Sequence, residues 1–496
     1  VPFHHAFKEN LMKKLDLSRL LLASAFLAAP AAALDLGSLP SVKELVAQAE
    51  QPEVSAPLPG APKDARVLKE WTIMVFMNGK NNLSDYVIED MNEMEVYGPT
   101  ANINIVTQAA RIKYEAPSYP GGGYNDYPDY PGVVPHPGWP NPFWGGMPPM
   151  MNKKVTTVKD ASTDWAGVHR YEVTKDGENG SLGSKLLADL GTVDMGDYKQ
   201  LVEFGKWAKQ NYPAKKYMLV VWNHGDGWKN KAFGPRPVLK GISYDDETGN
   251  GISAVNLGRA VREMGGVEIY ASDACLMQMA EVAYELKDAA KITVGSEETE
   301  PGDGWAYDYF LSRVHSNQNN LRPEVMAAAA VQGYKAFYGE QKTDATQSAL
   351  RTSGLVSFRV LLDQWVDLVM KEDRAMITGA ASGATTFEGV GSRDLIHFME
   401  NVHGKTKSQA LKAKTVEVMN HIYNKVLIDN GATGDKFAKA YGLAVYLPGY
   451  SYEDDYNELA WAKEGKWDDF AKWLTTKDPA PAPNTHAQEA AAPLLP

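Results

Sequence analysis

YMLVVWNHG (217–225) and VEIYASDAC (267–275) are two short apolar runs, each rich in β-branched and aromatic residues and each ending in a chemically capable side chain. Runs of this length bounded by turn residues read as buried strands rather than helices. Further runs of the same kind occur at WTIMVFMN (71–78), INIVTQAA (103–110) and KITVGSE (291–297). Between them lie helical patterns. Leu83, Val87, Met91 and Met94 share one helical face before a stop at Gly98-Pro99, and similar segments fall near 197–210, 254–264 and 276–289. Strand, helix and strand at this spacing require parallel crossovers, so the expected fold class is α/β, an α/β/α sandwich around a mainly parallel sheet. A helix-rich part is expected from about 322 to 427, and GLAVYLP (442–448) reads as a late strand rejoining that sheet.

The chain outside these runs divides by composition. It has 496 residues, 44% hydrophobic and 23% charged, with no apolar run of membrane-spanning length, which excludes a disordered chain and an integral membrane protein. The net charge of -12 repels phosphates and anionic lipid, so no nucleic-acid partner is expected. From Met12, Lys13, Lys14 and Arg19 precede an apolar stretch from Leu20 to Ala29 and then Ala31-Ala32-Ala33. This is a secretory signal pattern with cleavage expected after Ala33, and Val1 to Leu11 lie upstream of the start it implies. The expected organisation is a leader over 1–33, a Pro-containing linker or propeptide over 34–70 and a folded core over 71–315. A C-terminal part of the same unit follows over 316–475, and then a disordered Ala/Pro tail over 476–496. A Tyr-, Pro- and Gly-rich insertion without Lys or Arg interrupts the core at 114–151.

The carboxyl ends of parallel strands share one edge of a sheet, so His224 and Cys275 meet there if their strands are neighbours. Cys275 is the only cysteine, which rules out an intramolecular disulfide and leaves one thiol for chemistry. A cysteine nucleophile needs a base on attack and a proton for the leaving group, and one imidazole supplies both. Gly225, lacking a Cβ, lets its N–H approach a carbonyl oxygen and form an oxyanion hole with the N–H of Cys275.

With these residues in view, the chain resembles the clostripain family of clan CD cysteine peptidases, the group that also holds caspases, gingipains and legumains. WTIMVFMNGKNNLSDYVIEDMNEME, YMLVVWNHGDGW, SDACLMQMAEVAYEL, SEETEPGDGW and GLAVYLPGYS are similar to that family's blocks in order and spacing, over about 71–475 without the insertion. The resemblance implies a caspase-like fold, endopeptidase cleavage after Arg or Lys, Asp303 of EPGDGW as the pocket acid and Asp273 as its assistant. An acidic floor near Glu297, Glu298, Glu300 and Asp303 suits a basic substrate side chain, although the three glutamates by themselves read as a solvated turn. The resemblance also implies self-cleavage between the catalytic strands. Of Lys229, Lys231, Arg236 and Lys240, the bond Lys240–Gly241 is preferred over Lys231–Ala232, and Arg236 is disfavoured by Pro237.

Other motifs carry less. Gly404-Lys405-Thr406 lacks the first glycine of a phosphate loop, no HExxH or G-x-S-x-G occurs, and His397, His403 and His421 read as helix residues. No cofactor is required by the chemistry. Tyr244 to Gly249 is an acidic turn without the ligand alternation of an EF-hand, so calcium is left open. The other reading is a non-catalytic surface binding protein on a caspase-like scaffold, using the aromatic insertion as its binding face.

Overall fold

The computed structural model describes residues 68–112, 163–176, 181–228, 241–389 and 391–476. The leader, the insertion at 114–151 and the candidate cleavage sites at Lys229, Lys231, Arg236 and Lys240 lie outside them, as does the tail beyond 476.

In chain order, β1 (Lys69–Gly79), α1 (Tyr86–Tyr97) and β2 (Ile103–Arg111) are followed by β3 (Gly167–Glu172), β4 (Lys185–Asp189), α2 (Tyr198–Asn211) and β5 (Ala214–Trp222). A hairpin of β6 (Ile242–Asp245) and β7 (Asn250–Ile252) leads to α3 (Ala254–Glu263), β8 (Val267–Asp273), α4 (Ala280–Glu285) and β9 (Ala290–Gly295). The second half holds α5 (Tyr307–Ser316), α6 (Pro323–Gln341), β10 (Ser348–Arg351), α7 (Leu355–Val369) and α8 (Arg374–Ser382). It continues through β11 (Ser392–Asp394), α9 (Leu395–Lys405), α10 (Gln409–His421), β12 (Leu427–Asn430), β13 (Ala444–Tyr446), α11 (Ala460–Glu464) and α12 (Trp467–Thr475).

Among the described residues, nine strands form one sheet in the order β12-β10-β9-β8-β5-β1-β2-β3-β4. The central five, β9-β8-β5-β1-β2, are parallel, and antiparallel strands finish both sides. Strand alternation divides the core between the two faces. Met74, Phe76, Leu219 and Val221 pack with α2, α3 and α7 on one face. Ile73, Val75, Met218 and Val220 pack with α1, α5 and α6 on the other. This is the expected α/β/α sandwich with a helix-rich C-terminal part, and β10 and β12 carry that part into the main sheet.

Two local readings are corrected. The strand at 444–446 does not rejoin the main sheet but pairs with β11 in a separate ribbon. Its backbone is taken up elsewhere: the buried Glu281 carboxylate accepts the Tyr446 N–H at 2.9 Å and the Trp467 indole donates to the Tyr446 carbonyl at 2.8 Å. The sheet edge is instead the half-buried LIDN segment of β12, too short and polar to read as a strand. The helix expected over 276–289 begins only at Ala280, because Leu276 stands in the left-handed region at φ 64° and no right-handed helix passes through it.

Candidate active site

Strands β5 and β8 are parallel neighbours whose register pairs Trp222 with Asp273. The next residue continues the match, the Asn223 N–H donating to the Asp273 carbonyl at 3.1 Å. His224 and Cys275 thus follow at equal steps past paired positions, side by side on the carboxyl edge of the sheet. The loops are in backbone contact. A Cβ on Gly225 would lie 2.3 Å from the Cys275 carbonyl oxygen and 3.1 Å from the Ala274 Cβ, so no larger residue fits without moving one loop.

Burial disfavours the charged form of both candidate groups. Burial pushes the His224 imidazole down to about 4. Its Nε2 lies 2.7 Å from Asn82 Oδ1. Burial pushes the Cys275 thiol up to about 12, reinforced by the Glu300 carboxyl and opposed by the Glu300 N–H, which donates to Sγ at 3.3 Å. No hydrogen bond joins the ring and the thiol among the described residues. The strained Leu276, just after Cys275, is tied by its N–H to the Glu298 carbonyl at 3.1 Å, which fixes the turn that carries Cys275.

The acidic residues have distinct placements. Asp303 is partly exposed and accepts no hydrogen bond and forms no ion pair among the described residues. Asp273 is buried beneath the loop that carries Asp303. Its Oδ1 accepts the Trp305 N–H at 3.1 Å and its Oδ2 the Tyr307 hydroxyl at 2.8 Å. Burial raises it to about 6, and burial with the neighbouring Asp273 raises Glu300 well above the usual carboxylate range. The reading of Glu297 and Glu298 as a solvated turn is overturned. Both are buried, Glu297 accepting the Gly442 N–H at 3.0 Å and Glu298 the Glu388 N–H at 2.9 Å. They anchor the C-terminal part against the strand end, a long-range contact that local composition does not reveal.

Beneath His224 lies a polar buttress that the sequence reading passed over. Asn223 accepts the Tyr244 N–H at 2.6 Å, Asn81 Nδ2 donates to the Tyr244 carbonyl at 2.9 Å, and Asn78 Nδ2 donates to Ser243 Oγ at 3.1 Å. The buried Lys80 pairs with Glu247 at 2.6 Å and Asp245 at 3.6 Å. The described residues hold no group of three or more His, Cys, Asp or Glu able to bind a metal. The available signal was NGKNN (78–82), a polar run at the carboxyl end of a buried strand, where α/β sites form. His397, expected as a plain helix residue, caps a turn by bonding the Thr385 N–H at 2.9 Å. No helix among the described residues is long and apolar enough to cross a membrane.

Comparison with known proteins agrees with the fold. Clostripain of Hathewaya histolytica is 26% identical over 260 residues, which cover 49% of this chain and 42% of that protein, so the match spans less than half of the relative's length. A secreted C11 cysteine protease of Bacteroides thetaiotaomicron, solved with an irreversible peptide inhibitor, has the same fold at TM-score 0.53 and 16% identity, over 80% of this chain and 99% of that one. An inactive zymogen C11 protease of Parabacteroides distasonis matches at TM-score 0.53 and 15% identity with the same coverage. The family model described as the clostripain family matches residues 75–473, β5, β8 and the helix-rich part included, and the chain therefore belongs to the clostripain family of cysteine peptidases.

Proposed function

We propose that this protein is a secreted cysteine endopeptidase that cleaves after Arg or Lys, with Cys275 as nucleophile and His224 as general acid and base. The observation that carries this reading is the register of β5 and β8 together with the backbone contact of Gly225 on Cys275. Because thiol and imidazole are both neutral at rest, attack is coupled to proton transfer. Sγ bonds to the substrate carbonyl carbon as its proton passes to His224, and the oxyanion is met by the N–H groups of Gly225 and Cys275. His224 then returns the proton to the leaving amine, and water hydrolyses the thioester by the reverse sequence. Asp303, with no described partner, is the carboxylate available to a guanidinium or ammonium, while Asp273 holds the loop that presents it. The leader pattern over residues 12–33 supports export.

Self-cleavage is part of the proposal, and burial favours a different bond from the one the sequence favours. The residues following Lys240 are clamped: the Gly241 carbonyl accepts the Asp226 N–H at 2.9 Å, and Ile242 and Ser243 are both 0% exposed. A peptidase binds its substrate extended, so the Lys240–Gly241 bond is a poor one and Lys231–Ala232 becomes the preferred site.

The test is turnover of fluorogenic peptides ending in Arg or Lys. Wild type should cleave them, Cys275→Ala should lose both turnover and labelling by thiol-directed peptide inhibitors, and His224→Ala should lose turnover while keeping its thiol. Residual activity in Cys275→Ala refutes the mechanism, and no activity in fully reduced wild type favours a binding protein.

A further inference from the structure

We propose that Asn82 is the positioning residue of this site: its side-chain amide holds the proton of His224 on Nε2 and leaves Nδ1 as the basic nitrogen. The inference rests on the reading of His224 as the general base. Asn82 Oδ1 lies 2.7 Å from Nε2, and among the described residues this is the only hydrogen bond of the ring. An amide oxygen only accepts, so Nε2 must carry the hydrogen, and the lone pair that receives a thiol proton is then on Nδ1.

The contact is built by the fold. Asn82 itself is exposed, but its predecessor Asn81 is buried, with Oδ1 accepting the Leu83 N–H at 2.9 Å and Nδ2 donating to the Tyr244 carbonyl at 2.9 Å. The predecessor of His224, Asn223, is also buried, and its Oδ1 accepts the Tyr244 N–H at 2.6 Å. The residues before Asn82 and before His224 are thus both bonded to the backbone of Tyr244. This residue is pinned in turn: the Ser243 hydroxyl donates to the Met195 carbonyl at 2.8 Å, and the Asp246 N–H to the Lys80 carbonyl at 2.8 Å. The spacing of amide and ring is therefore set by a rigid clip and not by the exposed side chain alone. A neutral acceptor also suits the mechanism. It orients the ring without raising its basicity as a carboxylate would, and so keeps the imidazole unprotonated at rest.

Two readouts test this. In ¹⁵N-histidine-labelled Cys275→Ala protein, which cannot cut itself, the His224 ring should show a protonated Nε2 and a bare Nδ1. Asn82→Ala should convert this to a mixture of tautomers. In the active enzyme, Asn82→Ala should lower kcat by about 100-fold, the order expected for a misplaced catalytic group, with KM little changed. Asn82→Asp should move the acid limb of kcat/KM upward by about one pH unit or more. If both variants keep the wild-type ring signals and pH profile, Asn82 is a bystander and the proposal falls. His224→Ala separates the two claims: turnover surviving there removes the underlying reading, whereas turnover lost there alongside inert Asn82 variants removes only this inference.

Discussion

Replacing Gly225 by alanine probes the geometry on which the mechanism depends. The added Cβ would sit 2.3 Å from the Cys275 carbonyl oxygen and 3.1 Å from both the Ala274 Cβ and the Met277 Cγ. A carbon and an oxygen pack at roughly 3.2 Å or more, so the two loops must separate by about 1 Å. Neither side yields cheaply. The Asp226 N–H is bonded to the Gly241 carbonyl at 2.9 Å, and Cys275 is held between β8 and the Leu276 turn tied to Glu298 at 3.1 Å. Overpacking of this kind costs about 1–3 kcal/mol in stability. The displacement parts His224 from Cys275 and tilts one donor of the oxyanion hole, which together predict a fall in kcat of about 100-fold or more. The assay is kcat/KM on an Arg-ended fluorogenic peptide, paired with a thermal melt to show that the variant remains folded. Gly404→Ala is the control: it lies in α9, where an added Cβ meets nothing within 4 Å, and it should leave turnover unchanged without lowering the melting temperature. A folded Gly225→Ala enzyme with wild-type kcat would refute the placement of the two catalytic loops.

Asp303→Asn keeps the volume and removes the charge, so cleavage after Arg or Lys should fall by about 30-fold to several thousand-fold, the range of a lost 2–5 kcal/mol charged contact. Asp273→Asn should instead lower the melting temperature and depress turnover on every substrate, since it loosens Trp305 and Tyr307; a selective loss for basic substrates alone would exchange the two roles. With the thiol pushed up to about 12, its thiolate fraction at pH 7.5 is about 10³-fold below that of an ordinary cysteine. Free enzyme should therefore resist iodoacetamide while reacting with a peptide-linked thiol reagent, and equal alkylation of native and unfolded protein would contradict this. His224 is pushed from 6.5 down to about 4, so the neutral base persists through pH 5–8. The stability linked to it is fully present above about 6.5 and is lost as pH falls toward 4, because the unfolded chain binds the proton first. An acid limb of kcat/KM near 6.5 would show that the ring is solvated. Purified wild type should resolve into two chains, Lys231→Gln should stay whole where Lys240→Gln does not, and Cys275→Ala should be cut only when wild type is added; the same nick in pure Cys275→Ala would identify a foreign protease.

Much of this protein was written in its local sequence. The five parallel strands are continuous runs of apolar side chains, because a strand covered by helices on both faces has no polar side to show, and such runs survive as readable text. The placement of His224, Gly225 and Cys275 was equally legible, since they stand at the ends of those runs, on the edge a parallel sheet must present. Legibility failed where a residue's role depends on partners far along the chain. Glu297 and Glu298 look like a hydrophilic turn, and only the approach of Gly442 and Glu388 makes them buried anchors. The 442–448 run is as apolar as a sheet strand, yet Glu281 and Trp467 capture its backbone before the sheet can. Asn82 is one polar residue among several in NGKNN until Tyr244 brings it to the imidazole. Apolar periodicity is imposed by the burial of each segment and can be read one segment at a time. Hydrogen-bond partners and proton positions are set by distances between segments, which come into being only when the chain has folded.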